Sequence, residues 1–235
     1  ESVEDVPAKS IGSGMPWTWE TYGEYLQALD GIPKGINVGG LVGHCAVRLY
    51  AMGEEALENK PASTDQIAAM HDTVAEAIAG GALGFSTSRT PLHLTPDGEK
   101  VPGTYATPDE LKGICNVLKE QNRGLVEAAT GGLTGANEED MRENLRREML
   151  WMNEISRETG RTVLFNLAQN RQIPRGYQYA LDALNESVKA GAKIKAQSTT
   201  RGIGVLFGFQ NRTPFDRAPA WRALRGLPLS EKISK

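Results

Sequence analysis

The sequence predicts an α/β fold on a parallel sheet, with about five strands alternating with helices. Three observations predict it. Short apolar runs such as Ala82-Leu83-Gly84-Phe85 and Val163-Leu164-Phe165 alternate with stretches of helical periodicity. The runs are apolar on both faces, as strands of a covered parallel sheet are. No Asn-Gly or similar two-residue turn joins one apolar run to the next, which leaves βα repetition rather than hairpins.

Residues 1–15 form a polar entry segment. A helix is expected after Pro16, with Thr18 as its cap and Tyr22, Tyr25, Leu26 and Leu29 on one face. Gly31 and Pro33 stop it. The run 36–44 reads as a strand and its loop. Ser63 and Gln66 form a capping box that opens the next helix, whose stripe is Ile67, Met70, Val74 and Ile78. That helix leads directly into a strand at 82–86, the stretch around which the chain is organised. A loop at 87–106 follows, long enough to be functional.

Thr107-Pro108-Asp109-Glu110 starts another helix: a cap, then proline at the first position, then two acids. Leu111, Ile114, Cys115 and Leu118 form its inward face, which places Cys115 in the core. The run 125–130 is the next strand. Asn137, followed by three acids, begins a long helix with Leu145, Met149, Met152 and Ile155 inward. The run 162–167 is a strand, a helix starts near Tyr177, and 193–199 is the last clear strand. From Gly202 onward the tail is mixed, with an amphipathic piece near Trp221 and Leu224. A (β/α)8 barrel of the TIM type needs eight strands. About five are legible, so the run reads as part of such a barrel.

Composition narrows the function. The chain has 235 residues and a net charge of −3, with 40% hydrophobic residues and no basic block. Nucleic acid and anionic membrane are therefore not expected partners. Cys45 and Cys115 have neither CxxC spacing nor a neighbouring histidine, which argues against a structural zinc or a disulfide framework. No apolar run has the length of a membrane span and no signal peptide is visible, so a cytoplasmic setting with reduced cysteines is expected.

In parallel α/β folds, sites are built at the carboxyl ends of strands. Several polar residues fall there. His44 follows Leu41-Val42-Gly43, and Ser86 ends the central strand. His93 lies in the long loop and can belong to a lid. Glu127 sits inside an apolar strand, where an unpaired carboxylate is costly. It is a candidate general base or metal ligand, or else the partner of a nearby arginine. Asn166 and Gln197 take similar places on later strands. Arg48, Arg89 and Arg201 also follow strand ends, where a guanidinium fork can hold a substrate carboxylate. Surface pairing is the plain alternative for each arginine. His71, within a helix, reads as a packed helical histidine. No two histidines have HxH or HxxxH spacing, so no metal motif is legible.

A set of longer motifs adds to this. Pro16-Trp17-Thr18-Trp19, Tyr25-Leu26, Asn37-Val38, Leu41-Val42-Gly43-His44, Arg48, Met52-Gly53 and Gly81-Ala82-Leu83-Gly84-Phe85-Ser86-Thr87 stand in that order. Together they resemble the N-acyl-D-amino-acid deacylases, the D-aminoacylase branch of the amidohydrolase superfamily. The likeness is specific over roughly 16–120 and looser afterwards. It implies a metal-dependent (β/α)8 barrel, with zinc as the cofactor, that hydrolyses the amide of an N-acylated D-amino acid.

Such enzymes carry an HxH pair on the first barrel strand, a cysteine ligand after it and an aspartate on the last strand. None of these stands in this chain. The resemblance therefore implies a central barrel segment over 1–235, lacking the first and last strands, with the main metal ligands elsewhere. It also implies metal-binding histidines on the strands at 125–130 and 163–168, where this chain has Glu127 and Asn166. No metal ligand is assigned here. Two functional readings follow: the substrate-lining part of an amidohydrolase-type hydrolase, inactive by itself, or a barrel-derived protein that binds a small carboxylate without hydrolysis. A complete small open-sheet domain of unrelated function is a third. A barrel fragment would expose apolar edges and associate with copies of itself.

Overall fold

The computed structural model describes residues 8–95, 98–169 and 171–202, together with 204, 208, 209, 213, 215 and 218–234. It separates into two units, 1–198 and 199–235.

The first unit holds a five-stranded parallel sheet: β1 (Val42–Gly43), β2 (Gly84–Ser88), β3 (Leu125–Ala129), β4 (Val163–Asn166) and β5 (Ile194–Gln197). The strands lie in sequence order, β1-β2-β3-β4-β5. That order decides the architecture. Right-handed crossovers that always step the same way put every connecting helix on one face of the sheet. A doubly wound sheet would reverse direction. The fold is thus singly wound, as in a (β/α)8 barrel, and covers part of one.

The helices are α1 (Ala8–Gly14), α2 (Tyr22–Asp30), α3 (His44–Met52), α4 (Thr64–Ala79), α5 (Pro108–Glu120), α6 (Glu138–Thr159) and α7 (Gly176–Lys189), with a 3-10 turn at Gly53–Glu58. Sequence chemistry sets several of their starts. The Ser63–Gln66 capping box forms as expected, and Thr107 caps α5 through the Glu110 amide. Asn137 does the same for α6 through Asp140.

Side chains alternate between the two faces of each strand. Val42, Phe85, Thr87, Val126, Ala128, Val163, Phe165 and Ile194 point to the helix layer and are buried. They meet Met70, Val74, Ile78, Leu111, Ile114, Cys115, Leu118, Met149, Met152 and Ile155 from the helices. Gly84 is required where β2 starts. A Cβ there would sit 2.0 Å from the Leu125 carbonyl oxygen, so only glycine lets the two strands approach.

Some expected boundaries move. The strand expected over 36–44 shrinks to two residues, and Ile36 and Val38 are exposed at 78% and 52%. The run crosses Gly39-Gly40, which give it no side chains to bury, and β1 has only β2 beside it. The chain then turns at once into α3, a helix that the sequence reading leaves unassigned. The cap of α2 is Thr21, not Thr18, through a capping box with Glu24. The central strand starts at Gly84 rather than residue 82, leaving Leu83 54% exposed. Within the polar entry segment, α1 forms with no buried residue; residues 1–7 lie outside the described residues.

The second unit holds α8 (Pro219–Arg222) and α9 (Leu229–Ser234), with a ring cluster around Trp221 of α8. Phe209 and Phe215 lie 5.4 and 6.1 Å from the Trp221 ring. Part of the mixed tail falls outside the described residues. Among the described residues no helix is long and apolar enough to cross a membrane.

Candidate functional site

The face of the sheet turned away from the helices carries polar side chains in register. Gly43 pairs with Ser86, Ser86 with Glu127, Glu127 with Leu164, and Leu164 with Lys195. One row therefore reads Gly43, Ser86, Glu127, Leu164, Lys195 across all five strands. Nearer the carboxyl ends, Ser88 pairs with Ala129, and Asn166 pairs with Gln197. Two-residue periodicity puts both rows on the same side. Asn166, Lys195 and Gln197 are exposed, and Ser86, Ser88 and Glu127 are half-buried.

Two side chains here are held by specific bonds. Asn166 Oδ1 accepts a 2.8 Å hydrogen bond from the Thr130 amide, which leaves its NH2 group as the outward donor. Ser88 Oγ lies 2.5 Å from His93 Nδ1, which draws the start of the long loop to the rim of the sheet. Among the described residues, Glu127 and Lys195 have neither a hydrogen bond nor an ion pair through their side chains. The arginine partner considered for Glu127 is not found. This face thus has an unpaired anion, an unpaired cation, two side-chain amides and a Ser–His pair.

The other expected residues lie elsewhere. His44 and Arg48 are on α3, each 1% exposed, on the helix-covered side. His44 Nδ1 is 2.9 Å from Thr87 Oγ1, and His44 Nε2 is 2.9 Å from Glu110 Oε1. Arg48 Nη1 donates to both Glu110 oxygens at 2.7 and 2.8 Å, and Nη2 donates to the Lys60 carbonyl at 2.6 Å. Burial lowers the His44 pKa below the usual histidine range, against the pull of Glu110. The imidazole is then neutral, with Nε2–H donating to Glu110 and Nδ1 accepting from Thr87. Burial alone would raise the Glu110 pKa. The hydrogen bonds from His44 and Arg48, with the Arg48 charge, outweigh it, and the carboxyl titrates below its ordinary value. The long loop seals this cluster. Gly103 comes so close that a Cβ would lie 2.8 Å from His44 Nδ1, and its φ of +92° also favours glycine.

Arg89 turns to the helix layer as well. Its Nε lies 3.1 Å from both oxygens of Glu148 on α6, and Nη1 donates to the Ala106 carbonyl at 2.7 Å. Thr130 Oγ1 and Trp151 Nε1 complete the shell around Glu148 at 3.1 and 3.0 Å. Arg201 belongs to the second unit, where it donates to the Gly202 carbonyl at 3.3 Å. The structure brings together Ser86, His93, Glu127, Asn166 and Gln197. It does not add His44, Arg48 or Arg89 to them. Sequence reasoning missed Ser88, Lys195, Glu110 and Glu148. Period-two alternation from Ser86 and Gln197 would have found the first two; the two glutamates sit on helices and carry no local signal.

These groups do not assemble a metal centre. Among the described residues no three of His, Cys, Asp and Glu stand together in a way that could hold a metal ion. His44 is committed to Thr87 and Glu110. Cys115 is fully buried, and desolvation raises its thiol pKa well above the ordinary value. Zinc therefore does not fit the described residues of this chain.

Comparison with known proteins places the fold. Residues 6–228 match the family model described as the amidohydrolase family. The chain belongs to the amidohydrolase family. Among its relatives is a D-aminoacylase of Alcaligenes xylosoxydans xylosoxydans, 31% identical over 112 residues, or 48% of this chain and 21% of that protein. The N-acyl-D-glutamate deacylase of the same organism is 37% identical over 93 residues, 40% of this chain and 17% of that one. An uncharacterized protein of Mycobacterium tuberculosis (strain ATCC 25618 / H37Rv) is 32% identical over 135 residues, 54% and 22% of the two chains. A solved D-aminoacylase with a binuclear metal centre superposes with a TM-score of 0.62 at 22% identity, over 84% of this chain and 38% of that one. This amidohydrolase chain thus spans about a fifth of the length of the curated relatives it matches. Its singly wound sheet is the D-aminoacylase barrel fold over the part it covers.

Proposed function

We propose that this chain lines the substrate chamber of an amidohydrolase that cleaves the amide bond of N-acyl-D-amino acids or related amides. The observation that carries the reading is the polar row in register on the open face: Ser86, Glu127, Lys195, and at its tip Asn166 with Gln197. Such a face suits a small anionic amide. Lys195 supplies charge for the substrate carboxylate. The Asn166 and Gln197 amides donate toward carbonyl oxygen, and Glu127 accepts a proton from nitrogen or water. The zinc that the family implies has its ligands outside this chain, so the isolated segment has no turnover. His44, Arg48 and Arg89 hold the helix layer in place behind the chamber. The setting is cytoplasmic, where Cys45 and Cys115 remain thiols.

The substitution Lys195→Met in a full-length protein carrying this chain tests the reading. Losing one charged hydrogen bond to the substrate carboxylate is expected to raise KM for an N-acyl-D-amino acid about ten- to a hundredfold. The KM for the matching N-acyl-D-amino amide, which has no carboxylate, is expected to stay unchanged. Equal effects on both substrates would refute the assignment of Lys195.

A second reading keeps the same face and drops the chemistry: a barrel-derived protein that binds a small carboxylate. What favours it is that the described residues bring no metal-ligand set together. It predicts ligand binding by the full-length protein that a chelator leaves unaffected, with no turnover. Metal analysis of the purified full-length protein separates the two.

A further inference from the structure

The strongest feature outside the candidate site is an aromatic cavity of about 250 Å3 between the segment leading into α2 and the helices α3 and α4. Four electron-rich rings line it: Trp19, Tyr22, Tyr25 and Tyr50. The Trp19 and Tyr25 centroids are 5.3 Å apart with planes tilted 58°, and Tyr22 meets Tyr25 edge-on at 5.5 Å. Neither pair is stacked flat, so neither covers the full ring face of its partner. Trp17 supports the wall, with its ring 5.8 Å from that of Trp19. Its backbone is held at φ +46°, a region that side-chain-bearing residues rarely adopt.

The charges point the same way. Glu20 and Glu76 also line the cavity, and among the described residues no Lys, Arg or His does. Glu20 meets the Tyr50 hydroxyl at a long 3.4 Å. Among the described residues the Glu76 carboxylate has neither a hydrogen bond nor an ion pair. The nearby Glu24 does not contribute, because its carboxylate is tied to the Glu20 and Thr21 amides at the start of α2. A pocket lined by aromatic rings, with two carboxylates and no cation among its described residues, is the surrounding that an organic cation prefers. An anion would meet repulsion there, and a neutral apolar group would gain nothing from the two carboxylates.

We propose that this cavity binds a small organic cation of the alkylammonium class, with a trimethylammonium head against Trp19, Tyr22 and Tyr25. The rings supply cation–π attraction, and Glu20 and Glu76 neutralise the charge. The site lies on the helix layer, apart from the open sheet face, and does not rest on the proposed hydrolytic role.

Choline chloride, titrated into this chain while tryptophan emission is followed, tests the idea. Sodium chloride holds the ionic strength constant, and 3,3-dimethylbutan-1-ol serves as the uncharged isostere of choline. The expected result is a saturable change with choline and none with the alcohol over the same range. Glu76→Gln and Tyr50→Leu, both at exposed positions that leave the core untouched, are each expected to weaken binding by about three- to tenfold. Unchanged circular dichroism would show that these variants are folded. Absence of saturable binding up to tens of millimolar choline would overturn the proposal. So would equal response to the alcohol, which would show an apolar cavity only, or full affinity in both variants.

Discussion

At Glu110 one carboxylate satisfies a histidine and an arginine, all three nearly inaccessible to water. Removing one partner of such a buried set costs about 3–5 kcal/mol, because the other charge stays buried without compensation. Glu110→Gln is therefore expected to lower the unfolding free energy in urea by about that amount; a loss under about 1 kcal/mol would contradict the account. The same cluster sets a pH dependence. The folded pKa values of His44 and Glu110 are both depressed. Groups with depressed folded pKa contribute stability that is present above their unfolded pKa and lost as pH falls below it. For His44 that loss starts near the ordinary histidine value of about 6.5. The urea midpoint is expected to fall between pH 7.5 and 5.5, and to fall less in His44→Gln; a midpoint that is flat in the parent would count against a neutral His44. The sequence shows His44 and Arg48 as polar residues beyond a strand, which is why they read as site residues. Nothing local reveals that Glu110, 66 positions from His44, closes the set.

The elements were legible in proportion to how local their chemistry is. The caps at Ser63, Thr107 and Asn137 work within three residues, and all three formed as read. Helix α3 was hidden because two of its three inward positions, 44 and 48, carry His and Arg where apolar residues would announce a stripe. Strand β1 was over-read because apolar residues at 36 and 38 suit a strand but find no sheet to cover them. Glycine in β2 is the sharpest test at this scale. Gly84→Ala forces a Cβ against the Leu125 carbonyl and is expected to cost about 3 kcal/mol in urea unfolding. Gly12→Ala in α1, where a Cβ meets nothing within 4 Å, is expected to be neutral or slightly stabilising. Equal effects at the two positions would remove close strand approach as the reason for Gly84.

For the whole molecule, topology matters more than any single residue. Strands in sequence order with helices on one side leave the other face for ligands, and among the described residues β1 and β5 each pair on one side only. We expect the isolated chain to self-associate through those edges, seen as a size-exclusion mass above 25.5 kDa that falls on dilution. A sharp monomer peak at every concentration would speak against open edges. Alternation of βα units was readable from periodicity, and the family from ordered motifs. Which polar residues share the open face was not readable, since Ser86, Glu127 and Lys195 become neighbours only through register. The most direct measurement sets the isolated chain beside a full-length protein that carries it, on N-acyl-D-amino acids with added zinc, and follows amine release and bound metal. The account predicts turnover and bound metal in the full-length protein, and neither in the isolated chain; zinc-dependent turnover with one zinc held per isolated chain would contradict it.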